Sequence, residues 1–330
     1  MDKVIEDILN NKFVIGPMAG YTNASYRKIM REYGAKYCVT EMISSAGLIY
    51  HNPNTWDFAK IEPSDQPTIL QVFGPSASLL GEASKLLSEA YKPVMVDINM
   101  GCPMQKIVRE GAGSALLNNP DLIKEIVYQV KALTHLPVSV KLRCGWDEDH
   151  INIQDTVKAA CSGGADLIAI HGRTRSMFYE GSCQHEWIKM GVEASSVPVL
   201  ANGDIWTVED AIKILEDTGA SGVMLARGTQ GNPWLVQNLS HYFKGLDYHY
   251  QPTYEEQIEV MLHHLDLLIE EKGEQTANFM FRTIGPTYVK GIPGARAFRT
   301  VLVHQDNITG VKECIKGYKE SLAKGLIEGE

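Results

Sequence analysis

Eight short, continuously apolar runs recur along the 330-residue chain, at 13–18, 35–40, 67–72, 94–98, 138–141, 167–171, 197–201 and 222–226. Continuous rather than alternating apolarity marks strands covered on both faces, the condition of a parallel sheet. Near the end of each run stands Met18, Glu41, Gln71, Asn99, Lys141, His171, Asn202 or Arg227, in that order. The intervals between these residues run from 23 to 42 and average close to 30, about one strand-plus-helix unit. Helical patterns fill the intervals; in 119–133, Asn119 is a cap, Pro120 sits in the first turn, and apolar residues recur at 122, 123, 126, 127 and 130. The expected fold is α/β, a closed (β/α)8 TIM barrel whose C-terminal strand ends carry the chemistry. The 42-residue interval enlarges the loop after the fourth run, which contains Asn99-Met100-Gly101-Cys102-Pro103.

The strand signal stops near residue 240. Residues 254–272 then read as an amphipathic helix capped by Thr253, with Ile258, Met261, Leu262, Leu265, Leu268 and Ile269 on one side. The expectation is a barrel domain over 1–245, a linker around 241–252, and a small all-helical C-terminal domain over 246–330. An apolar content of 44% with 22% charged residues belongs to a folded chain and excludes a disordered one. Neither a signal peptide nor an apolar run of membrane-spanning length is visible, so the expected location is cytoplasmic, away from the membrane. Six cysteines without a Cys-x-x-Cys pair support neither a disulfide framework nor a metal site, and no obligate protein partner is evident.

Two loops read as backbone donors for phosphate: Asn202-Gly203-Asp204 after the seventh run and Ala226-Arg227-Gly228 after the eighth. Glycines there let amide N–H groups approach anionic oxygens, and these are the loops that often bind phosphate in this fold. The alternative is an ordinary pair of βα turns. Lys141 and His171 end their strands and face the mouth. A fixed lysine would stabilise the charge on the pyrimidine edge of a reduced flavin, or else pair with Glu41; His171 serves equally as a structural hydrogen-bonding group. Gln71 offers donors and an acceptor to a flavin or pyrimidine edge. Cys102, between Gly101 and Pro103, is either an acid or an inert loop thiol; at an ordinary pKa of ~8.5 a thiol stays protonated at neutral pH and suits proton donation.

Taken in order, the motifs resemble those of the tRNA-dihydrouridine synthases, closest to the bacterial B-type subfamily, over nearly the whole chain. They are Gly16-Pro17-Met18-Ala19-Gly20-Tyr21-Thr22, Asp97-Ile98-Asn99-Met100-Gly101-Cys102-Pro103, Val140-Lys141-Leu142-Arg143-Cys144-Gly145-Trp146-Asp147, His171-Gly172-Arg173-Thr174-Arg175, Ala201-Asn202-Gly203-Asp204-Ile205 and Arg227-Gly228-Thr229-Gln230-Gly231-Asn232-Pro233-Trp234. The resemblance implies FMN at the barrel mouth, held by Pro17, Met18, Ala19, Gln71, Lys141, His171, Asn202, Gly203, Asp204, Ala226, Arg227 and Gly228. It implies NADPH as a transient reductant and RNA as substrate, transfer RNA ahead of ribosomal RNA. Hydride would go to C6 of a uridine and a proton from Cys102 to C5, with Asn99 and Arg173 at the substrate.

Two positions depart from the family pattern. Ala226 replaces a glycine but keeps its backbone N–H. The Arg-Lys-His-x-x-Trp-Tyr motif appears as Arg282-Thr283-Ile284-Gly285-Pro286-Thr287-Tyr288, which retains only the arginine and the tyrosine. Two other functions remain open: a flavin barrel reducing a small pyrimidine or an enoate, and an RNA-binding factor with a vestigial flavin site, against which the retention of Asn99, Cys102 and Lys141 argues.

A net charge of −9 excludes a uniformly basic RNA-binding surface. The charge is unevenly distributed. Residues 1–279 hold 23 basic and 35 acidic side chains, and residues 280–330 hold 8 and 5. No acid occurs from 275 to 305, where Arg282, Lys290, Arg296 and Arg299 lie. They are expected to form a small RNA-phosphate contact, the alternative being a solvated helix face.

Overall fold

The computed structural model describes residues 2–325, which form two compact units: residues 2–22 with 35–227, and 23–34 with 228–325. The first unit is the barrel. Its strands are β1 (Phe13–Ile15), β2 (Cys38–Val39), β3 (Ile43–Ser44), β4 (Thr68–Phe73), β5 (Met95–Met100), β6 (Val138–Arg143), β7 (Leu167–His171), β8 (Val199–Asn202) and β9 (Gly222–Leu225). All pairings are parallel. β1 lies between β2 and β9, and β2 pairs with β4 to close eight strands into a ring. Each expected run overlaps one of the eight, and β4, β5, β6 and β8 continue one or two residues beyond theirs. The ninth, β3, extends only the end of β4, with Ile43 opposite Val72 and Ser44 opposite Phe73; two residues are too few to produce a periodic signal.

Alternation along these strands divides the barrel interior into layers. Val14, Val39, Ile69, Met95, Leu167, Ala169, Leu200 and Met224 form an apolar cluster with Ile5 and Ile8 of the N-terminal helix Lys3–Asn11. That helix is amphipathic, and its buried isoleucines close the end of the barrel where the strands begin. Two residues further on, the same faces carry polar groups: Gln71 after Ile69, Asp97 and Asn99 after Met95, His171 after Ala169, Asn202 after Leu200. The barrel is thus filled with hydrocarbon at one end and with hydrogen-bonding groups at the other.

The enlarged interval after β5 holds a short helix, Gln105–Arg109, and a 3-10 turn, Gly113–Asn118. The helix Pro120–Thr134 follows, and the Asn119 side chain accepts from the Leu122 N–H as its cap.

The second unit is helical: Trp234–Phe243, Tyr254–Lys272, Glu274–Ile284, Ala295–Leu302 and Ile308–Ala323. Thr253 and Glu256 form a reciprocal capping box at the start of Tyr254–Lys272. The helix Ala24–Glu32, which follows β1 in the chain, also belongs to this unit. The Glu271 carboxylate accepts from the N–H groups of Ala24 and Ser25 at 3.3 and 2.7 Å, placing negative charge where a helix N-terminus favours it. The Tyr26 and Thr229 hydroxyls meet at 2.6 Å, and Tyr33 meets Trp234 edge-on with centroids 5.6 Å apart.

These contacts draw Trp234–Phe243 into the helical unit, so the division falls between Arg227 and Gly228 rather than at the expected 245/246 boundary. Among the described residues, no helix is long and apolar enough to cross a membrane.

Candidate active site at the barrel mouth

The polar layer is one connected network. Asp97, inside β5, accepts from Gln71 Nε2 and from Ser139 Oγ, each at 2.6 Å. Burial pushes its carboxyl pKa up, against the opposing pull of those hydrogen bonds and of Lys141. Gln71 Oε1 in turn accepts from Asn99 Nδ2 at 2.9 Å. Asn99 Oδ1 accepts from the backbone N–H groups of Gly101 and Cys102 at 3.2 and 2.9 Å. Gln71 and Asn99 therefore have fixed amide orientations, and the strand end and the cysteine loop form one rigid piece.

The loop is held from its other side too. The Cys102 carbonyl accepts from the Ser114 N–H at 3.0 Å and from its hydroxyl at 2.8 Å. Gly113 approaches so closely, with φ +60, that a Cβ there would lie 2.8 Å from the Cys102 oxygen. Burial raises the Cys102 thiol pKa against the Met104 N–H and Arg143, which act to lower it. The thiol is therefore protonated at neutral pH.

Lys141 stands opposite Asn99 in the β5–β6 register. Its Nζ donates to Asn202 Oδ1 at 2.9 Å, and Asn202 Nδ2 is anchored on the Met224 carbonyl at 2.7 Å. The partner is a neutral amide, and among the described residues Lys141 makes no ion pair. Glu41 instead accepts from the Gly20 N–H. Burial first, and Arg143 second, bring the Lys141 pKa down to about 8. His171 is driven well below its ordinary value by burial and then by Lys141, Arg143, Arg173 and Arg227; it is neutral at physiological pH.

Asp204, held at φ +50, gathers the arginines. Arg173 NH1 and NH2 reach its two oxygens at 2.9 and 2.7 Å, and Arg227 NH2 reaches it at 3.2 Å. Burial acts to raise the Asp204 pKa, but these arginines and the Cys183 N–H outweigh it and leave the carboxyl below its ordinary value. Gly203 has φ +130, and a Cβ there would lie 2.6 Å from Cys183 Sγ and 3.0 Å from His171 Cδ2. Only glycine fits between those groups.

Of the expected site residues in the barrel unit, Gln71, Asn99, Cys102, Lys141, His171, Asn202, Gly203, Asp204 and Arg227 gather at the C-terminal ends of the strands. Pro17, Met18 and Ala19 follow β1. Their loop is tied by the Gly16 N–H to the Leu225 carbonyl at 2.7 Å and by the Met18 N–H to Thr22 Oγ1 at 3.1 Å. Ala226 follows β9, and Gly228 opens the second unit in the turn Arg227–Thr229.

Arg173 corrects an expectation. Placed at the substrate by sequence, it is 2% exposed, and its five N–H donors are taken by Glu180 O, Gly181 O, both Asp204 oxygens and His171 Nε2. No donor is left for a substrate, so its place is to hold Asp204 and His171. In the second unit Arg282, Lys290 and Arg296 are exposed, whereas Arg299 is half-buried with its Nε on the Ala295 carbonyl at 3.2 Å.

Sequence reasoning missed Asp97, Ser139 and Arg143. All three lie inside strands, where the period of two would have found them: Asp97 shares a face with Asn99, and Ser139 and Arg143 share one with Lys141. Arg143 is buried, donates to the Thr174 carbonyl at 2.6 Å, and has its pKa brought down to about 10, first by burial.

The mouth fits a bound anionic cofactor such as FMN. Lys141, Arg143, Arg173 and Arg227 meet there in a chain of net charge −9; the half-buried Lys141 ammonium has an amide as its hydrogen-bond partner, and the Asp97 carboxyl acts on it only through space. A cation withdrawn from water without a directly paired anion is costly, and a phosphate or a reduced flavin edge would relieve that cost. Gln71 and Asn202 add fixed amides beside it.

The profile of the dihydrouridine synthase (Dus) family matches residues 14–322. A probable tRNA-dihydrouridine synthase 1 of Synechocystis is 37% identical over 308 residues, covering 93% of this chain and 86% of the relative. The tRNA-dihydrouridine synthase B of Vibrio vulnificus is 35% identical, covering 96% and 98%, and that of Pseudomonas aeruginosa is 34% identical, covering 88% and 87%. With the family's match running from β1 into the last helix, and with such identity over nearly full length, this chain belongs to the dihydrouridine synthase family.

Proposed function

We propose that the protein reduces the C5=C6 bond of uridines in RNA, with transfer RNA as the first candidate, to give 5,6-dihydrouridine. The cofactor would be FMN and the reductant NADPH. The reading is supported by the relatives' names and, in this chain, by one observation above the rest: a protonated, half-buried Cys102 is tied to Asn99, the strand position directly opposite the half-buried Lys141.

FMN, when bound, would supply the hydride for C6, with NADPH as its source. Lys141 would meet negative charge on the pyrimidine edge of a reduced flavin held there. Gln71, Lys141, His171 and the backbone of 202–204 and 226–228 would hold the cofactor. Asn99 fixes the loop from which the Cys102 thiol delivers its proton to C5. Arg143, which favours the thiolate left behind, makes that transfer easier before solvent returns the proton. A base must leave its stack to enter the mouth, so the substrate nucleotide is an unpaired or flipped one.

Purified protein is expected to release FMN on denaturation and to restore dihydrouridine, read by nucleoside mass spectrometry, in RNA from a strain lacking its own copy. Turnover of free uracil or an enoate with no dihydrouridine gained in any RNA would overturn the reading. Cys102→Ala is expected to keep its flavin and lose roughly 10²–10⁴-fold in the rate of RNA reduction. The wild-type rate should be flat through neutral pH and fall only on the alkaline side, because the donor must be protonated and its pKa is raised.

A further inference from the structure

Arginines and aromatic rings alternate on the barrel's rim. Arg143 lies 5.5 Å from the Tyr179 ring centroid, Arg227 lies 5.0 Å from that same centroid, and Arg227 also lies 5.6 Å from the Trp206 ring. Arg227 is therefore placed between two aromatic groups. Its guanidinium cannot swing away freely, because NH2 is held on Asp204. Trp206 is fixed by its backbone, whose N–H donates to Asp210 at 2.9 Å in the turn that starts the helix Val208–Thr218. Yet the rings are not sealed into a core: Tyr179 is 53% exposed and Trp206 44%. Large aromatic faces held open beside a planar cation form a stacking surface for a nucleobase, with positive charge at hand for its phosphate.

We infer that Tyr179, Arg227 and Trp206 form a platform that receives an unstacked nucleotide of the RNA flanking the uridine to be reduced. The inference rests on the RNA-reductase reading but concerns a different group from those that handle the reacting base. The row starts at Arg143, which acts electrostatically on the Cys102 thiol, and passes through Tyr179 and Arg227 to Trp206, so it is continuous with the reaction centre. Arg227 takes part through its side chain, leaving its backbone N–H for the cofactor phosphate. Stacking tolerates any base, so the platform contributes affinity and alignment rather than sequence choice. It gives the acidic barrel an RNA contact of its own, apart from the basic stretch of the helical unit.

The test compares wild type, Trp206→Ala and Trp206→Phe as flavin-loaded full-length proteins. Binding of a fluorescently labelled, unmodified tRNA transcript is read by anisotropy, independently of turnover. Trp206→Ala is expected to weaken binding roughly tenfold, with flavin content and the rate of flavin reduction by NADPH unchanged, and Trp206→Phe to recover most of the loss. Equal binding by all three proteins overturns the platform. So does a rise in the KM for NADPH with RNA binding unchanged, which would make the rings a dinucleotide contact. Trp206-dependent binding without any dihydrouridine formed would leave the platform standing and remove the proposed activity.

Discussion

At the barrel mouth Arg143 and Arg173 are buried and Lys141 half-buried among fixed partners, whereas in the helical unit Arg282, Lys290 and Arg296 stand exposed on a stretch without acids. The same residue types do opposite work. Buried cations are held by carbonyls, an amide and one carboxylate, and they shift the pKa values of their neighbours. Exposed cations keep their water, and what they offer a polyanion is attraction that salt screens. The first arrangement suits chemistry at one atom, the second a loose hold on a long backbone.

The largest expected effect tests the buried side. Asp204→Asn removes the carboxylate that holds both Arg173 and Arg227, leaving a guanidinium buried without its counter-charge. A loss of about 3–5 kcal/mol in unfolding free energy is expected in urea denaturation. A loss below about 1 kcal/mol would show that the mouth tolerates unpaired charge and would weaken the contrast.

The helical unit also has a buried ionisable group. His264 is fully buried, bonds through Nδ1 to the Tyr288 hydroxyl at 2.9 Å, and has its pKa lowered from 6.5 to about 4, chiefly by burial. Folded His264 is neutral, so between 6.5 and 4 the unfolded chain binds more protons. Stability contributed by the neutral ring is present above 6.5 and is lost as pH falls towards 4, by about 3 kcal/mol. The pH dependence of unfolding should be shallower by that amount in His264→Asn than in wild type. Parallel slopes would place the titration elsewhere.

The smallest effect is at the surface. Arg282→Ala and Arg296→Ala are each expected to weaken tRNA binding only severalfold at low salt and to reduce the slope of log K against log salt by roughly one. If either variant loses as much as Trp206→Ala, the exposed cations are contacts of a more specific kind.

Much of the fold was legible in the sequence because it is written in local periodicity. The eight runs each overlap a barrel strand, Asn119 and Thr253 cap the helices they were expected to cap, and the polar strand ends meet at one mouth. β3 was missed because two residues have no period. Asp97 and Ser139 escape a reading of each run as uniformly apolar, and Arg143 lies two residues beyond its run, although alternation within β5 and β6 assigns all three to the faces of Asn99 and Lys141.

Arg173 was misread for another reason. A guanidinium beside a site histidine looks available in the sequence, and only the folded chain shows its donors taken by Glu180, Gly181, Asp204 and His171. The boundary at Arg227 and Gly228 was equally hidden, since it depends on the helix Ala24–Glu32 packing with segments about 200 or more residues away in sequence.

The sequence by itself determined the eight strands of the ring, their spacing, and the residue near the end of each, because a strand's two faces and a helix's cap depend on near neighbours in the chain. Only the tertiary structure decided which charge meets which partner. Lys141 finds Asn202 across 61 positions, and Asp204 finds Arg173 across 31. Such pairings depend on strand order and burial, which the closed barrel sets as a whole.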